Sequence, residues 1–64
     1  MVEIRNLLLG KRKSLNLTQE AVAEHCGFSR EYYTMIERGV RTPTPQNAKK
    51  IANVLGFDWT LFYE

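Results

Sequence analysis

Apolar residues recur at steps of three and four along most of this chain, which is typical of helices that bury one face. The recurrences predict helices over residues 2–14, 18–26, 30–38 and 45–55, and a last short helix that begins at Asp58. No stretch alternates apolar and polar residues in the way that a half-buried strand does. The pattern therefore predicts an all-α fold of five short helices around one core.

Each of the first four helices has a set of apolar positions that we expect to be buried. The sets are Ile4, Leu7, Leu8 and Leu15; then Val22, Ala23 and Cys26; then Tyr33 and Ile36; and finally Ala48, Ile51, Ala52 and Leu55. Gly10 lies inside the first helix, where glycine costs about 1 kcal/mol relative to alanine. Asn16 is expected to mark the break before the second helix.

The corner between the second and third helices depends on two residues with opposite effects on a helix. Gly27 adopts a left-handed conformation at little cost and ends the second helix, whereas Ser29 is a good N-cap for the third. A helix end, one spacer and a helix start predict a helix-turn-helix over residues 18–38. Thr18 and Thr44 are the expected N-caps of the second and fourth helices.

Three helix starts share the pattern of a hydrophobic staple, in which a residue before the cap packs on one inside the helix. The pairs are Leu17 with Val22, Phe28 with Tyr33, and Phe57 with Phe62, around the caps Thr18, Ser29 and Asp58. These pairs support the helix starts independently of the apolar stripes.

Length and charge fit one small domain over residues 1–64. The chain is 44% hydrophobic and 25% charged, and its net charge is +2. Cations gather at Lys11–Lys13 and again at Arg30, Arg38 and Arg41, which fits an anionic partner and equally a solvated surface. The longest apolar run has three residues, far too few to span a membrane.

Few side chains are available for redox, metal or enzymatic chemistry. The single cysteine, Cys26, excludes an internal disulfide and fits a reducing compartment. His25 and Cys26 together are too few ligands for a zinc site, so we expect an exposed imidazole and a buried thiol. Because no paired carboxylates accompany them, the sequence predicts no enzyme, cofactor, metal site or small-molecule ligand.

The order and spacing of several short motifs resemble a known family over nearly the whole chain. The motifs are Thr18-Gln19, Val22-Ala23, Gly27, Ser29, Ile36-Glu37-Arg38-Gly39, Pro43, Ile51-Ala52, Leu55-Gly56 and Asp58-Trp59. They resemble the phage repressor and Cro-like helix-turn-helix domains of the XRE family. The resemblance implies a lambda-repressor-like domain of five helices that binds DNA, usually as a dimer, in transcription control.

The resemblance also implies roles for individual residues. Base edges would be read by Arg30, Glu31, Thr34 and Met35, and phosphates would be bound by Gln19, Ser29, Tyr32, Arg38 and Arg41. Arginine can donate two hydrogen bonds to guanine, and threonine or methionine can contact a thymine methyl. Glu31 either accepts from cytosine or orients Arg30. Tyr32 is either a phosphate contact or a packed surface aromatic.

Two further sets of residues have structural roles in such domains. Arg12 is expected to form a partly buried ion pair with Glu37 that holds the third helix to the first, or else to contact phosphate. The C-terminal residues Trp59, Leu61, Phe62 and Tyr63 are more apolar than one short terminal helix needs. They either form a dimer contact or fold onto the core of their own monomer.

These expectations favour a sequence-specific DNA-binding regulator, most simply a repressor. It would read the major groove of double-stranded DNA with its third helix, as a homodimer on a near-palindromic operator. It would be a bacterial or phage protein that acts in the cytoplasm, at the nucleoid, without a membrane contact. The alternative is a protein-interaction module that keeps the fold but does not read DNA.

Overall fold

The computed structural model describes residues 4–63, which are helical apart from their connecting turns. The elements are α1 (Ile4–Ser14), α2 (Gln19–Cys26), α3 (Arg30–Glu37), α4 (Pro45–Leu55) and a 3₁₀ helix (Trp59–Tyr63). The all-α helix-turn-helix fold predicted from the sequence is confirmed. The predicted first helix also includes Val2 and Glu3, which lie outside the described residues, as does Glu64.

The last element differs in type from the other four helices. Asp58 Oδ1 accepts hydrogen bonds from Thr60 N–H at 3.0 Å and from the Thr60 hydroxyl at 2.8 Å. Leu61 N–H then donates to the Asp58 carbonyl at 3.1 Å, which is the three-residue step of a 3₁₀ helix. Five residues are too few for a stable α-helix, so the tighter form is used here.

The expected N-caps are present at the starts of α2, α3 and α4. The bonds run to Thr18 Oγ1 from Ala21 N–H at 3.0 Å, to Ser29 Oγ from Tyr32 N–H at 3.1 Å, and to Thr44 Oγ1 from Asn47 N–H at 3.3 Å. Gly27 ends α2 with φ 78°, in the left-handed region that a side chain would disfavour. The corner between α2 and α3 is therefore built as the sequence predicts.

The core lies where α2, α3 and α4 meet, and α1 packs on α3 and α4. Its buried apolar residues are Leu8, Val22, Ala23, Cys26, Tyr33, Ile36, Ala48, Ile51, Ala52 and Leu55. The prediction of a buried Leu15 is wrong, since this side chain is 49% exposed. The reason is that α1 ends at Ser14 and the chain turns at Asn16, whose φ is 58°, so Leu15 leaves the helical stripe.

Packing of α2 against α3 buries one side of α3 and leaves its opposite side at the surface. The buried positions of α3 are Tyr33, Ile36 and Glu37, and the last of these is a charged residue. Within residues 4–63, no helix is both long enough and apolar enough to cross a membrane.

Candidate nucleic-acid interface

The outward side of α3 and the first residue of α2 line one shallow depression. Its lining residues are Gln19, Arg30, Glu31, Thr34, Met35 and Arg38. Arg30, Glu31 and Arg38 are exposed, whereas Thr34 and Met35 are partly buried. The set contains all four residues that the sequence predicts to read base edges, because steps of three and four bring them to one side of the helix.

A second depression adjoins the first at the start of α2. It is lined by Arg12, Thr18, Gln19, Glu20 and Arg30. Gln19 and Arg30 belong to both depressions and so connect them. A helix start carries a positive partial charge, and the exposed Arg30 beside it increases the attraction for an anion such as a phosphate.

Glu37 is only 5% exposed, and its carboxylate is bonded to Gln19, which lines both depressions. The expected ion pair with Arg12 is present: Arg12 Nε and Nη2 donate to the two carboxylate oxygens at 2.8 and 3.2 Å. Gln19 Nε2 donates to the same carboxylate at 2.6 Å, and the Tyr33 hydroxyl also donates to it, at 3.0 Å. Four hydrogen bonds therefore converge on one buried acid, which joins α1, α2 and α3.

These bonds determine the charge state of the buried groups. Burial by itself would raise the pKa of Glu37, but hydrogen bonds from Arg12, Gln19 and Tyr33 and the charge of Arg12 outweigh it and lower the pKa. Burial, together with the neighbouring carboxylate, raises the pKa of Tyr33. At neutral pH Glu37 therefore stays ionised and Tyr33 stays protonated. The Tyr33 hydroxyl is then the donor, and the Glu37 carboxylate the acceptor, of the bond between them.

Gln19 extends this group of hydrogen bonds to the surface of α3. Its amide oxygen accepts from the Thr34 hydroxyl at 3.1 Å, while its amide nitrogen donates to Glu37. The sequence predicts only a phosphate contact for Gln19. In the structure, both ends of its side chain also have partners inside the protein.

Tyr32, Asn47 and Arg41 form a separate cluster outside the two depressions. The Tyr32 hydroxyl accepts from Asn47 Nδ2 at 3.0 Å, and the guanidinium carbon of Arg41 lies 5.2 Å from the Tyr32 ring centroid. Phe28 meets the same ring edge-on, with 5.0 Å between centroids. Tyr32 is therefore a packed, partly buried aromatic residue, and the Arg41 side chain that lies over its ring is exposed.

The remaining residues with predicted DNA contacts lie at the two ends of α3. Ser29 is exposed at the start of α3, where it serves as the N-cap. Arg38 is exposed at its end and occupies the C-cap position.

Of the four C-terminal residues predicted to form a dimer contact, Leu61 is partly buried and the other three make aromatic contacts. Phe62 packs against the core and lies 5.6 Å from Phe57 between ring centroids. Trp59 meets Tyr63 edge-on at 6.0 Å and has Lys49 Nζ at 4.9 Å from its ring centroid. Tyr63 remains 46% exposed, although its hydroxyl donates to the carbonyl of Pro43 at 2.8 Å.

Several of these contacts are absent from the sequence-based predictions. The bond between Tyr33 and Glu37 could have been inferred, because residues four apart on a helix lie on the same side. The bonds of Gln19 and Asn47 join different helices, and no local pattern in the sequence indicates them.

The fold and the exposed side of α3 define a helix-turn-helix domain of the DNA-binding type. The helix-turn-helix family profile matches residues 9–62, so the chain belongs to that family. The family is one of DNA-binding transcriptional regulators rather than of enzymes. No solved structure matches the chain significantly.

Two similar proteins are named as transcriptional regulators, and a third is named as a control protein. The HTH-type transcriptional regulator YqaF of Bacillus subtilis is 48% identical over 61 residues, covering 95% of this chain and 80% of that protein. The cryptic phage CTXphi transcriptional repressor RstR of Vibrio cholerae is 37% identical over 54 residues, covering 84% of this chain and 48% of that protein. The control protein C.BamHI of Bacillus amyloliquefaciens is also 37% identical over 54 residues, covering 84% of this chain and 63% of that protein.

Proposed function

We propose that this protein is a sequence-specific repressor that inserts α3 into the major groove of double-stranded DNA. The observation that carries the proposal is the single depression in which four candidate base-reading side chains meet. A mixture of donors, acceptors and apolar atoms on one exposed helix edge matches what the major groove presents. The similarity to a phage transcriptional repressor supports the same function.

Base recognition is assigned to four residues of α3. Arg30 is exposed and can donate two hydrogen bonds to guanine, whereas Glu31 can accept from the amino group of cytosine. The apolar atoms of Thr34 and Met35 suit the methyl group of thymine. These contacts would select the sequence.

Phosphate binding is assigned to residues around that edge. Gln19 and Ser29 lie at the starts of α2 and α3, where the helix dipole favours a negative charge. Arg38 lies beyond the other end of α3, and Arg41 is held over Tyr32. These contacts would orient the protein on the duplex and make binding sensitive to salt.

The domain would bind as a homodimer to a near-palindromic operator, with half-sites about 34 Å apart. Exposed parts of Trp59, Leu61 and Tyr63 would supply the contact between the two copies, next to Phe62, which is partly buried against the core. Binding of this kind would take place at chromosomal or phage DNA in the cytoplasm.

The experiment that tests this function is selection of bound fragments from a pool of random duplexes, followed by affinity measurements across a range of salt concentrations. We expect one enriched motif, tighter binding to it than to a scrambled duplex, and a steep loss of affinity as salt rises. Equal affinity for the enriched and scrambled duplexes would contradict sequence recognition. No measurable binding to any duplex would favour a protein-interaction module.

A further inference from the structure

The hydrogen bonds of Gln19 have a direction that chemistry determines. Glu37 is an ionised carboxylate and can only accept, so the amide group that lies 2.6 Å from it must be the nitrogen. The amide oxygen of Gln19 then faces Thr34, whose hydroxyl lies 3.1 Å away. An amide oxygen can also only accept, so Thr34 must be the donor in this bond.

Thr34 therefore differs chemically from an unrestrained threonine. A hydroxyl group has one hydrogen and two lone pairs, and its hydrogen is used in the bond to Gln19. What remains for a partner in the depression is the accepting capacity of the oxygen and the methyl group. The buried acid thus limits, through Gln19, what a surface residue of α3 can recognise.

We propose that Gln19 determines base specificity by keeping Thr34 as an acceptor, so that the base edge facing Thr34 is not guanine. In the major groove guanine presents only acceptors, N7 and O6, which Thr34 in this state cannot bind. Adenine and cytosine present amino donors, and thymine presents a methyl group. The inference rests on the proposed function and makes it more specific, since it assigns Gln19 a positioning role beyond phosphate binding.

The same rule divides the exposed edge of α3 by hydrogen-bond polarity. Arg30 and Arg38 can only donate, whereas Glu31 when ionised and Thr34 in its bond to Gln19 can only accept. Guanine is accordingly expected opposite Arg30, and bases with an amino or methyl group opposite Thr34.

The test uses duplexes selected by the wild-type chain and begins by locating the base that faces Thr34. Thr34→Val removes the hydroxyl and keeps a branched side chain. The position in the duplex at which this variant changes the base preference is therefore the position that Thr34 contacts. Affinity is then measured there for all four base pairs with the wild type and with Gln19→Ala. Arg30→Ala is the control, because it alters a different contact on the same helix.

We expect the wild type to disfavour guanine at that position by at least roughly fivefold, the lower end for one good base contact. In Gln19→Ala the freed hydroxyl can donate to guanine, so the penalty should fall below about twofold while preferences elsewhere are kept. Arg30→Ala should leave the penalty unchanged. Glu37 retains its bonds from Arg12 and Tyr33 in Gln19→Ala, so the variant is expected to fold.

Four results would overturn the inference. If Gln19→Ala weakens binding to all four base pairs equally, Gln19 acts only on the DNA backbone, and the proposed function would stand. A wild-type preference for guanine at that position, or the absence of any position sensitive to Thr34→Val, would also refute the inference. In both cases the proposed function as a DNA reader would stand. A wild-type chain that selects no sequence would refute the proposed function and this inference together. If circular dichroism finds Gln19→Ala unfolded, Gln19→Met lacks the same oxygen and takes its place.

Discussion

Among the side chains of residues 4–63, Glu37 takes part in the largest number of hydrogen bonds. It receives hydrogen bonds from three residues, Arg12, Gln19 and Tyr33, which lie on three different helices. Gln19 also bonds to the candidate base-reading residue Thr34. A buried pair of this kind is weak evidence for net stability, but loss of one partner leaves the other charge uncompensated. Glu37 is therefore expected to matter for both stability and the position of α3.

Glu37→Gln should lower the free energy of unfolding at pH 7 by about 3 kcal/mol, because Arg12 loses its counter-charge in a partly buried site. The pKa of Glu37 is lowered from its ordinary 4.5 in the folded state. Its contribution is thus complete above that ordinary value and is lost as the pH falls through the lowered one. The measurement is urea unfolding of both proteins from pH 7 to strongly acidic pH.

The difference in unfolding free energy between the two proteins should therefore narrow as the pH falls below 4.5. Glu24→Gln is the matched control, since Glu24 is an exposed acid on α2 and should not reproduce the narrowing. A difference that stays constant across this range would mean that ionised Glu37 does not stabilise the fold.

Single elements were predicted most reliably where the information is local. The caps Thr18, Ser29 and Thr44 bond to backbone groups three residues ahead, so a short stretch of sequence contains both partners. The apolar stripe gives a wrong prediction for Leu15, because the three- and four-residue spacing continues past Ser14, where α1 ends. The type of the last helix was not predicted, because both helix types can start with a cap such as Asp58.

Gly27, which caps the end of α2, and Gly10, which lies inside α1, should respond to alanine in opposite directions. Gly27→Ala should destabilise the protein by about 1 kcal/mol, because φ at this position is 78° and an L-residue is strained there. Gly10→Ala should stabilise it by about 0.5–1 kcal/mol, since Gly10 is inside α1 and an added Cβ meets no atom within 4 Å. Thermal or urea unfolding measures both, and the same sign for both would contradict the assigned backbone conformations.

At the scale of the whole molecule, the sequence does not predict most of the contacts between helices. The predictions include the base-reading residues of α3 and the pair of Arg12 with Glu37, which helical spacing and family resemblance indicate. They do not include the bonds from Gln19 to Glu37 and Thr34, because these depend on how α2 crosses α3. The sequence therefore predicts which residues form the surface, and the structure adds how they are held.

The proposed dimer predicts a concentration-dependent association that the C-terminal residues control. Leu61→Glu should shift the protein towards monomer in analytical ultracentrifugation, because a charge would replace apolar surface at the contact. Leu15→Glu is the matched control, as Leu15 is 49% exposed and is assigned no role in association. A wild-type monomer at high micromolar concentration without DNA would contradict the dimer, as would equal effects of the two substitutions.

The most direct test of DNA reading by α3 compares Arg30→Ala with Arg5→Ala at one salt concentration. Both substitutions remove one exposed positive charge, but Arg5 is on α1 and Arg30 on the proposed reading edge. Arg30→Ala should reduce discrimination between the selected and a scrambled duplex by about 1–3 kcal/mol, whereas Arg5→Ala should leave it unchanged. If Arg30→Ala weakens binding to both duplexes by the same factor, the exposed edge of α3 does not read the base sequence through Arg30.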